Sequence, residues 1–458
     1  MARGGKGLGQ LPDEDTRVRD AWRFYRETLG SPRFVCAPMV GQSELAYRLL
    51  LRKSGCDLCY TPMLHAEEFA GSSEEEMARQ GFTTCAEDRP LVVQFCAKSP
   101  EAFLEAALQV QDRCDAVDLN LGCPQSKAMR GGWGGALMEE ENWHTVYAIV
   151  RHAVSSPSLR VPVTCKIRVF ADDRKTVRFA KLLQEAGCSL VTVHGRQRDR
   201  ALHHAPANWQ AIRAVREALR LPTVANGGVD APGDAERCLQ ETGCVAVMVA
   251  TALLQTPDLF LLPDAGVMQR QDGNQQNLQA ESLRRGVRYC LQYLRIYEEY
   301  PSWSLRAARD HLRALLAPGC MHQGQLRHGD LLEALDAAGA APRPASALHA
   351  EQKDYWQGVC QELRDVLKLL CVRAGLCGAD DTTLDEFHWG TARTDSVPRA
   401  LVVSCQPQLV IEGASKAQQA LLRRAPVNKR FAERRRQQAA ALQSCLQSAS
   451  KWSRPQSA

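Results

Sequence analysis

Eight short apolar runs between residues 33 and 251 constrain the fold more than any other feature of this 458-residue sequence. Most intervals between them hold a helix-like segment, such as 44–51 or 102–111. Alternating strands and helices imply a parallel sheet. Eight strands in this length predict a (β/α)8 TIM barrel, because a doubly wound sheet usually stops at about five or six strands. The predicted strands are 34–40, 58–63, 91–96, 116–121, 163–169, 190–194, 223–225 and 245–250.

Polar or small residues stand at the end of most of these runs. In a TIM barrel the active site is built at the C-terminal ends of the strands. One such residue alone is commonly a turn cap, but five or six in register predict a shared site. They are Pro38 with Met39, Gln94, Asn120 with Cys123, Lys166, His194, and Asn226 with Gly227 and Gly228.

The stretch DLNLGCPQSKAMRGGWGGALM, residues 118–138, carries a cysteine on the loop that follows the fourth strand. Its glycines predict a pliable lid that brings the Cys123 thiol over a bound substrate. A P-loop is excluded because the GK[ST] ending is absent. The alternative for Cys123 is a small buried apolar side chain.

Two further features predict an anionic ligand in the barrel mouth. Lys166 ends its strand, and a buried ammonium group without an anionic partner is costly. Small residues follow the seventh and eighth strands, in ANGGV and VATALLQTP. TIM barrels commonly bind phosphate there through backbone N–H groups and a helix N-terminus.

The chain beyond residue 251 has a different pattern. Helical periodicity over 281–300, 304–316, 331–337 and 355–370 predicts a smaller all-helical domain after a polar linker at 273–277. Residues 415–458 hold ten Lys or Arg and one acid, a net charge of +9 against +5 for the whole chain, which suits an anionic partner such as RNA. No apolar run approaches the roughly 20 residues of a membrane span. The predicted divisions are an N-terminal extension (1–30), the barrel (31–265), the helical domain (278–390), and a linker with a basic tail (391–458).

Seven segments in order resemble the tRNA-dihydrouridine synthases, and their amino-acid sequences are most similar to the eukaryotic type that acts at positions 16 and 17 of the D-loop. The resemblance covers about 230 residues. It weakens in the helical region, where LRAARDHLRALL (305–316) still looks related. The segments are APMVGQSE (37–44), CYTPM (59–63), RPLVVQF (89–95), DLNLGCP (118–124), VPVTCKIRV (161–169), TVHGR (192–196) and ANGGV (225–229).

The resemblance implies a flavin enzyme that reduces the C5–C6 bond of a uridine in tRNA. Cys123 would protonate C5, FMN would deliver hydride to C6, and NADPH would be the reductant. The expected cofactor-binding residues are Pro38, Met39, Gln94, Asn120, Lys166, His194, Asn226, Gly228, Ala250 and Thr251. The expected RNA contacts are Arg168, Arg196, Lys127 and Arg130, because recognition of folded RNA rests on phosphate and shape contacts.

Two departures from the family pattern stand out. Many members have Gly-Arg where this chain has Ala250 and Thr251, so phosphate binding would depend on backbone groups and a hydroxyl. Cys-rich zinc modules occur in some relatives, whereas the tail has only Cys405 and Cys445, and we expect no metal. We expect a monomer located in the cytoplasm or nucleus, with no membrane partner.

Two other functions compete with this interpretation. The first is an FMN barrel dehydrogenase that acts on a free pyrimidine, which would leave the helical domain and the basic tail without a purpose. The second is a non-catalytic RNA-binding protein on a degenerate barrel. The departure at Ala250 and Thr251 favours the second alternative, whereas intact Cys123, Lys166 and His194 oppose it. The visible spectrum of the purified protein distinguishes them, because bound flavin is yellow.

Overall fold

A computed structural model describes residues 11–199, 205–262, 275–302, 305–322, 325–326, 335 and 349–373. Its main sheet is parallel, and eight of the strands close into a barrel with order β2-β1-β9-β8-β7-β6-β5-β4, because β2 also pairs with β4. The short β3 pairs with β4 outside this ring. The strands are β1 Phe34–Cys36, β2 Leu58–Tyr60, β3 Leu64–His65, β4 Leu91–Cys96, β5 Ala116–Leu121, β6 Val163–Val169, β7 Leu190–Gln197, β8 Thr223–Asn226 and β9 Ala246–Val249. The predicted (β/α)8 barrel is confirmed.

All eight predicted barrel strands are present, with differences at their ends. The strand predicted at 58–63 ends early, at Tyr60, and β3 begins beyond it at Leu64. Pro62 lies between the two strands and has no N–H group to continue the ladder. The first strand ends at Cys36 and the loop that follows is folded on itself, since the Ser43 hydroxyl accepts a hydrogen bond from Met39 N–H (3.0 Å). Strand β7 continues past the predicted end at residue 194 to Gln197.

Helices follow most of the strands and cover the outside of the barrel. Their ends show ordinary capping: Ser99 accepts from Ala102 N–H (3.1 Å) ahead of α5, and Gly187, at φ +105°, ends α8. No helix within the described ranges is long and apolar enough to cross a membrane. The helices of this part are α1 Glu14–Arg23, α2 Leu45–Lys53, α3 Ala66–Phe69, α4 Glu74–Arg79, α5 Pro100–Val110, α6 Ser126–Gly131, α7 Trp143–Val154, α8 Asp173–Ala186, α9 Trp209–Ala218, α10 Asp234–Thr242 and α11 Thr251–Gln255.

The N-terminal extension contains a helix that the sequence analysis did not predict. Helix α1 begins after Asp13, whose carboxylate accepts from Thr16 N–H (2.9 Å), and it continues into a π-helical turn at Phe24–Thr28. Phe24, Tyr25 and Leu29 are buried against the first residues of the barrel strands. The Tyr25 hydroxyl lies 2.9 Å from Pro32 O. This segment therefore closes the N-terminal end of the barrel, opposite the site.

Two long helices pack in the same compact unit as the barrel, namely α12 (Gln275–Glu299) and α13 (Leu305–Cys320). Helix α12 begins inside the polar segment predicted as a linker. A two-residue antiparallel pair joins Met321–His322 to Gln325–Leu326, and α14 spans His349–Arg373. The chain divides into one unit of 1–327 with 346–357 and another of 328–345 with 358–458. The domain boundaries predicted from sequence remain a prediction. The segment at 331–337 apart from Leu335, the linker at 391–413 and the basic tail lie outside the described residues.

A buried carboxylate links α12 and α13 to the start of α2. Glu44 accepts a hydrogen bond from the Tyr293 hydroxyl (2.8 Å) and pairs with His311 Nε2 (2.8 Å). The Tyr47 ring stacks on His311 with the ring centroids 3.7 Å apart. Burial opposes ionisation of Glu44, but His311 and Tyr293 outweigh it, so the pKa of this carboxyl is lowered.

Candidate active site

The strand registers bring the predicted polar residues to one end of the barrel. Asn120 on β5 is the neighbour of Lys166 on β6, and His194 on β7 is the neighbour of Asn226 on β8. Gln94, beside Asp118, lies two positions deeper than Asn120, and His194, beside Arg168, lies two positions above Lys166. Because side chains two apart on a strand point to the same side, these residues line the inside of one end of the barrel, which we call the mouth.

A continuous chain of hydrogen bonds joins the neighbouring strands β6, β5 and β4 just below the mouth. The Thr164 hydroxyl donates to Asp118 Oδ1 (2.6 Å), and Gln94 Nε2 donates to Asp118 Oδ2 (2.8 Å). Asn120 Nδ2 donates to Gln94 Oε1 (2.8 Å). Asn120 Oδ1 then accepts from the backbone N–H of Cys123 (3.0 Å) and of Gly122 (3.2 Å). We call this series the Asp118 chain; it runs from a fully buried carboxylate to the cysteine backbone.

Two charged groups of opposite sign lie close together in this region. Burial raises the pKa of Asp118 to about 6, although Thr164, Gln94 and Lys166 each favour its ionised form. Burial also lowers the pKa of Lys166 to about 7, assisted by the neighbouring Arg168 guanidinium and opposed by Asp118. Because the pKa of Lys166 is near 7, an anion placed beside it would favour the charged ammonium form.

Three backbone contacts hold Cys123 on its loop. Its N–H donates to Asn120, its carbonyl accepts from Gly135 N–H (3.0 Å), and the carbonyl of Gly122 accepts from Arg168 Nε (2.8 Å). The side chain is partly buried. Burial raises the pKa of the Cys123 thiol above its ordinary value, while Arg168 and Lys166 act in the opposite direction. Cys123 is therefore a protonated thiol at neutral pH, with cations nearby that favour the thiolate formed when it gives up its proton.

The lid, residues 123–138, is a folded segment rather than an open loop. It consists of α6 and a 3-10 turn at Gly134–Met138, whose residues are buried. Trp133 is buried and meets the His65 ring edge-on, with centroids 4.5 Å apart. Gly134 has φ +60°, and a Cβ there would lie 3.0 Å from Cys123 Cβ, so this position requires glycine. Opening and closing of the lid remain a prediction.

Arg198, just after β7, contacts the lid and the residue that follows it. Its Nη1 donates to Gly135 O (2.9 Å), and its guanidinium forms an ion pair with Glu139. The sequence analysis did not single out this residue, because the contact joins segments about 60 residues apart and no local pattern marks it.

The four predicted RNA-contacting cations occupy different environments. Lys127 and Arg130 are exposed on α6. Arg196 is partly buried and its Nε donates to Ala205 O (2.7 Å). Arg168 is buried, and besides Gly122 it reaches Gln197 O through Nη1 (3.0 Å). The described contacts of Arg168 and Arg196 are to backbone carbonyls. Contact with RNA remains a prediction for all four.

The remaining predicted ligand-binding residues line the ends of β1 and β7 to β9. Gly227 has φ +95°, and a Cβ there would lie 2.6 Å from the His194 ring, so glycine lets this ring lie over the turn. Asn226 Nδ2 donates to Met248 O (2.8 Å), which joins β8 to β9. No side chain caps the N-terminus of α11 at Ala250 and Thr251. Gly228 is partly buried, as is Pro38, and Met39 is buried.

Two members of the Asp118 chain, Asp118 and Thr164, were absent from the predicted site. A signal for Asp118 was available, because residues two apart on a strand point to the same side, and Asp118 is two residues before Asn120. Thr164 bears the same relation to Lys166. Within the described part of the chain, no group of three or more His, Cys, Asp or Glu side chains is arranged to hold a metal ion.

Comparison with known proteins identifies the family to which this barrel belongs. Residues 35–335 match the dihydrouridine synthase (Dus) family. The chain belongs to this family. The match starts in β1 and extends past the end of α13, so it includes the barrel mouth, the lid and the helices tied to Glu44.

Several curated dihydrouridine synthases are similar to this chain. A mouse protein named tRNA-dihydrouridine(16/17) synthase [NAD(P)(+)]-like is 50% identical over 240 residues, which are 52% of this chain and 50% of the mouse protein. The fission yeast tRNA-dihydrouridine(16/17) synthase [NAD(P)(+)] is 38% identical over 302 residues, 64% of this chain and 71% of its own. The budding yeast protein of that name is 45% identical over 238 residues, 51% of this chain and 55% of its own. The chain thus spans about half the length of the mouse and budding yeast relatives.

Proposed function

We propose that this protein is a tRNA-dihydrouridine synthase that reduces the C5–C6 bond of uridine at positions 16 and 17 of the D-loop. The observation that carries the proposal is a protonated thiol, Cys123, held beside Lys166 at the barrel mouth of a Dus-family chain. The names of the mouse and yeast relatives support the choice of tRNA and of position.

The mouth has the chemistry that a flavin mononucleotide requires. Lys166 has its pKa lowered to about 7, so an anionic ring system or phosphate beside it stabilises the ammonium form. The uncapped start of α11 presents backbone N–H groups after β9, and Gly227 and Gly228 leave room for close approach after β8. Gln94, Asn120 and His194 complete the rim. We propose FMN as the cofactor and NADPH as the source of its electrons.

The role of the protein is to supply a proton and a fixed position. When bound, the reduced flavin supplies a hydride that reaches C6 of the uracil ring. The Cys123 Sγ–H bond breaks as its proton moves to C5, so the C5=C6 double bond becomes a single bond and each carbon gains one C–H bond. The thiolate that remains is favoured by the positive charges of Arg168 and Lys166 until it takes a proton from solvent.

Access to the uracil requires the base to leave its stack. An enzyme that acts on a base in folded RNA must extrude it into a pocket and bind the neighbouring backbone. The exposed cations Lys127 and Arg130 lie on the lid beside exposed Met129, and Val40 on the β1 loop is also exposed. We propose that this rim contacts tRNA through phosphates and one or two unstacked bases.

The test uses the full chain with a tRNA transcript that carries unmodified uridine, NADPH and added FMN. Reduced uridine gains two hydrogens, so nuclease digestion and mass spectrometry locate dihydrouridine by position. We expect product at 16 and 17. A yellow protein that yields no dihydrouridine in tRNA but reduces free uracil would instead support the free-pyrimidine alternative, and a colourless inactive protein would support the degenerate barrel.

A further inference from the structure

Every donor and acceptor in the Asp118 chain has its direction fixed from the two ends. At one end, the backbone N–H groups of Gly122 and Cys123 can only donate, so the amide oxygen of Asn120 must face them. At the other end an ionised carboxylate can only accept, so the amide nitrogen of Gln94 must face Asp118. The two amides between these ends fit head to tail only in this orientation.

We propose that Asp118 is a positioning residue that sets the placement of the Cys123 thiol by fixing the orientation of Gln94 and Asn120. The inference rests on the proposed function for its catalytic consequence, but its structural part does not. Asp118 is fully buried and touches neither the cysteine nor the opening itself. It acts through two intervening side chains, which place the backbone of residue 123 and hence the direction of its Cα–Cβ bond.

Loss of the acceptor at Asp118 predicts a defined failure. Without it the orientation is held from the cysteine end alone, and the buried amide nitrogen of Gln94 has lost its acceptor. A Gln94 that turns to relieve this loss presents nitrogen to Asn120. Asn120 must then turn as well. Its amide nitrogen, a donor, then faces the N–H groups of Cys123 and Gly122, which are also donors. These buried N–H groups lose their partner, so the loop shifts to regain one.

An alternative role for Asp118 is charge compensation of Lys166 alone. The two roles predict different results for Asp118→Asn. Asparagine has no charge, yet it can direct its oxygen to Gln94 and its nitrogen to Thr164. The Thr164 hydroxyl can then accept and turn its own proton toward Val117 O, which lies 3.5 Å away. Orientation control therefore predicts that Asp118→Asn keeps Cys123 in place, whereas charge compensation predicts that it fails like Asp118→Leu.

The experiment measures iodoacetamide labelling of Cys123 in the flavin-bound protein by peptide mass spectrometry, relative to Cys85, a partly buried cysteine. Asp118→Leu keeps the number and branching of the side-chain heavy atoms and removes the acceptor. We expect it to label Cys123 several-fold faster than the parent. Single-turnover formation of dihydrouridine should fall by about 10 to 100-fold, since displacement of a reacting group by about 1 Å costs on that scale.

The matched control is Asp118→Asn, which keeps an acceptor for Gln94 at the same position. If Asp118→Leu does not fold with flavin bound, Gln94→Met interrupts the chain one step nearer to Cys123, and faster labelling is expected there too.

The proposal is overturned if a folded Asp118→Leu protein, or Gln94→Met in its place, labels Cys123 at the parental rate. It is also overturned if Asp118→Asn loosens Cys123 as much as Asp118→Leu does. Failure of the proposed function has a different signature: no variant, the parent included, would form dihydrouridine, while the order of labelling rates would be unchanged.

Discussion

Burial controls the protonation of three side chains at the barrel mouth. It raises the pKa of Cys123 and of Asp118, and it lowers the pKa of Lys166, in each case as the largest cause. Mutual attraction partly offsets burial, because Asp118 favours the charged form of Lys166 and the reverse also holds. The mouth therefore holds a thiol that keeps its proton and an ammonium that gains from an added anion.

Replacement of Cys123 by alanine tests the role of the thiol. We expect Cys123→Ala to retain flavin and to lower the rate of dihydrouridine formation by about 10² to 10⁴-fold, the usual cost of removing a general acid. Cys238→Ala is the matched control, because Cys238 is a buried cysteine on the outer helix α10 and its pKa is also raised. A rate in Cys123→Ala equal to that of Cys238→Ala and of the parent would exclude the proton-donor role.

Lys166→Met removes a charge from a partly buried position and keeps most of the side-chain volume. The folded pKa of about 7 lies below the ordinary value of 10.5, so the unfolded chain binds more protons between these limits. The cost of burying Lys166 is therefore absent above pH 10.5, grows as pH falls, and is complete below pH 7. In flavin-free protein, Lys166→Met should raise the unfolding temperature more at pH 7 than at pH 10.

Lys166→Met should also change the redox potential of a bound flavin. A reduced flavin carries negative charge, and a nearby cation stabilises it. We expect Lys166→Met to lower the midpoint potential of the flavin in a spectroelectrochemical titration. An unchanged potential would place Lys166 against RNA or phosphate rather than the flavin ring.

The placement of Gln94, Asn120, Lys166 and His194 at one end of the barrel could be predicted because position near a strand end is a local property of the sequence. Arg168 shows where such patterns stop: we expected it to contact RNA, and no local pattern indicated that its guanidinium would bond backbone carbonyls of neighbouring segments. That outcome depends on how two loops meet in space.

At the scale of elements, a buried carboxylate joins α12 and α13 to the barrel, beside the ring contacts of Tyr47 with Tyr293 and His311. Glu44 stands at the N-terminus of α2, directly after the loop that contains Met39. The hydrogen bonds from Tyr293 and His311 thus join two distant helices to a loop of the mouth. We therefore expect loss of the Glu44 carboxylate to disturb both the packing of the two helices and the mouth loop.

Glu44→Ala should lower the free energy of unfolding by about 3 to 5 kcal/mol, because removal of one partner leaves the rest of a buried polar cluster unsatisfied. Urea denaturation measures this. Arg306→Ala on α13 is the control; its ion pair with Asp310 is exposed, so its loss should cost under about 1 kcal/mol. Similar losses in the two variants would contradict the role given to Glu44.

The stability from Glu44 has a defined pH window. The folded pKa is below the ordinary value of 4.5, so the contribution is present above that pH and is lost as pH falls through the folded pKa. Glu44→Gln should accordingly flatten the acid limb of the stability profile.

The barrel strands could be predicted because each is a compact apolar run, whereas the N-terminal helix could not. Its burial comes from Phe24 and Tyr25 contacting strand starts spread over more than 200 residues. A local pattern contains no information about such contacts. Similarly, the polar residues at the start of α12 suggested a linker, although these residues are helical.

At the scale of the whole molecule, the basic tail should act separately from the barrel. Deletion of residues 415–458 removes ten cations and one acid. We expect weaker tRNA binding with a smaller dependence on salt, because fewer phosphate contacts release fewer counterions. Binding isotherms at several salt concentrations measure the slope, and the flavin spectrum reports whether the barrel is intact. If the salt dependence of tRNA binding is identical with and without residues 415–458, the tail does not contact tRNA phosphates.

Reduction of uridine in tRNA is most directly tested by a single anaerobic turnover. The flavin of the full-length protein is reduced, excess reductant is removed, and an unmodified tRNA transcript or free uracil is added. We predict that tRNA reoxidises the flavin and gains one dihydrouridine for each flavin oxidised, while free uracil leaves the flavin reduced. Flavin that stays reduced with tRNA, or that is reoxidised by free uracil instead, would contradict it.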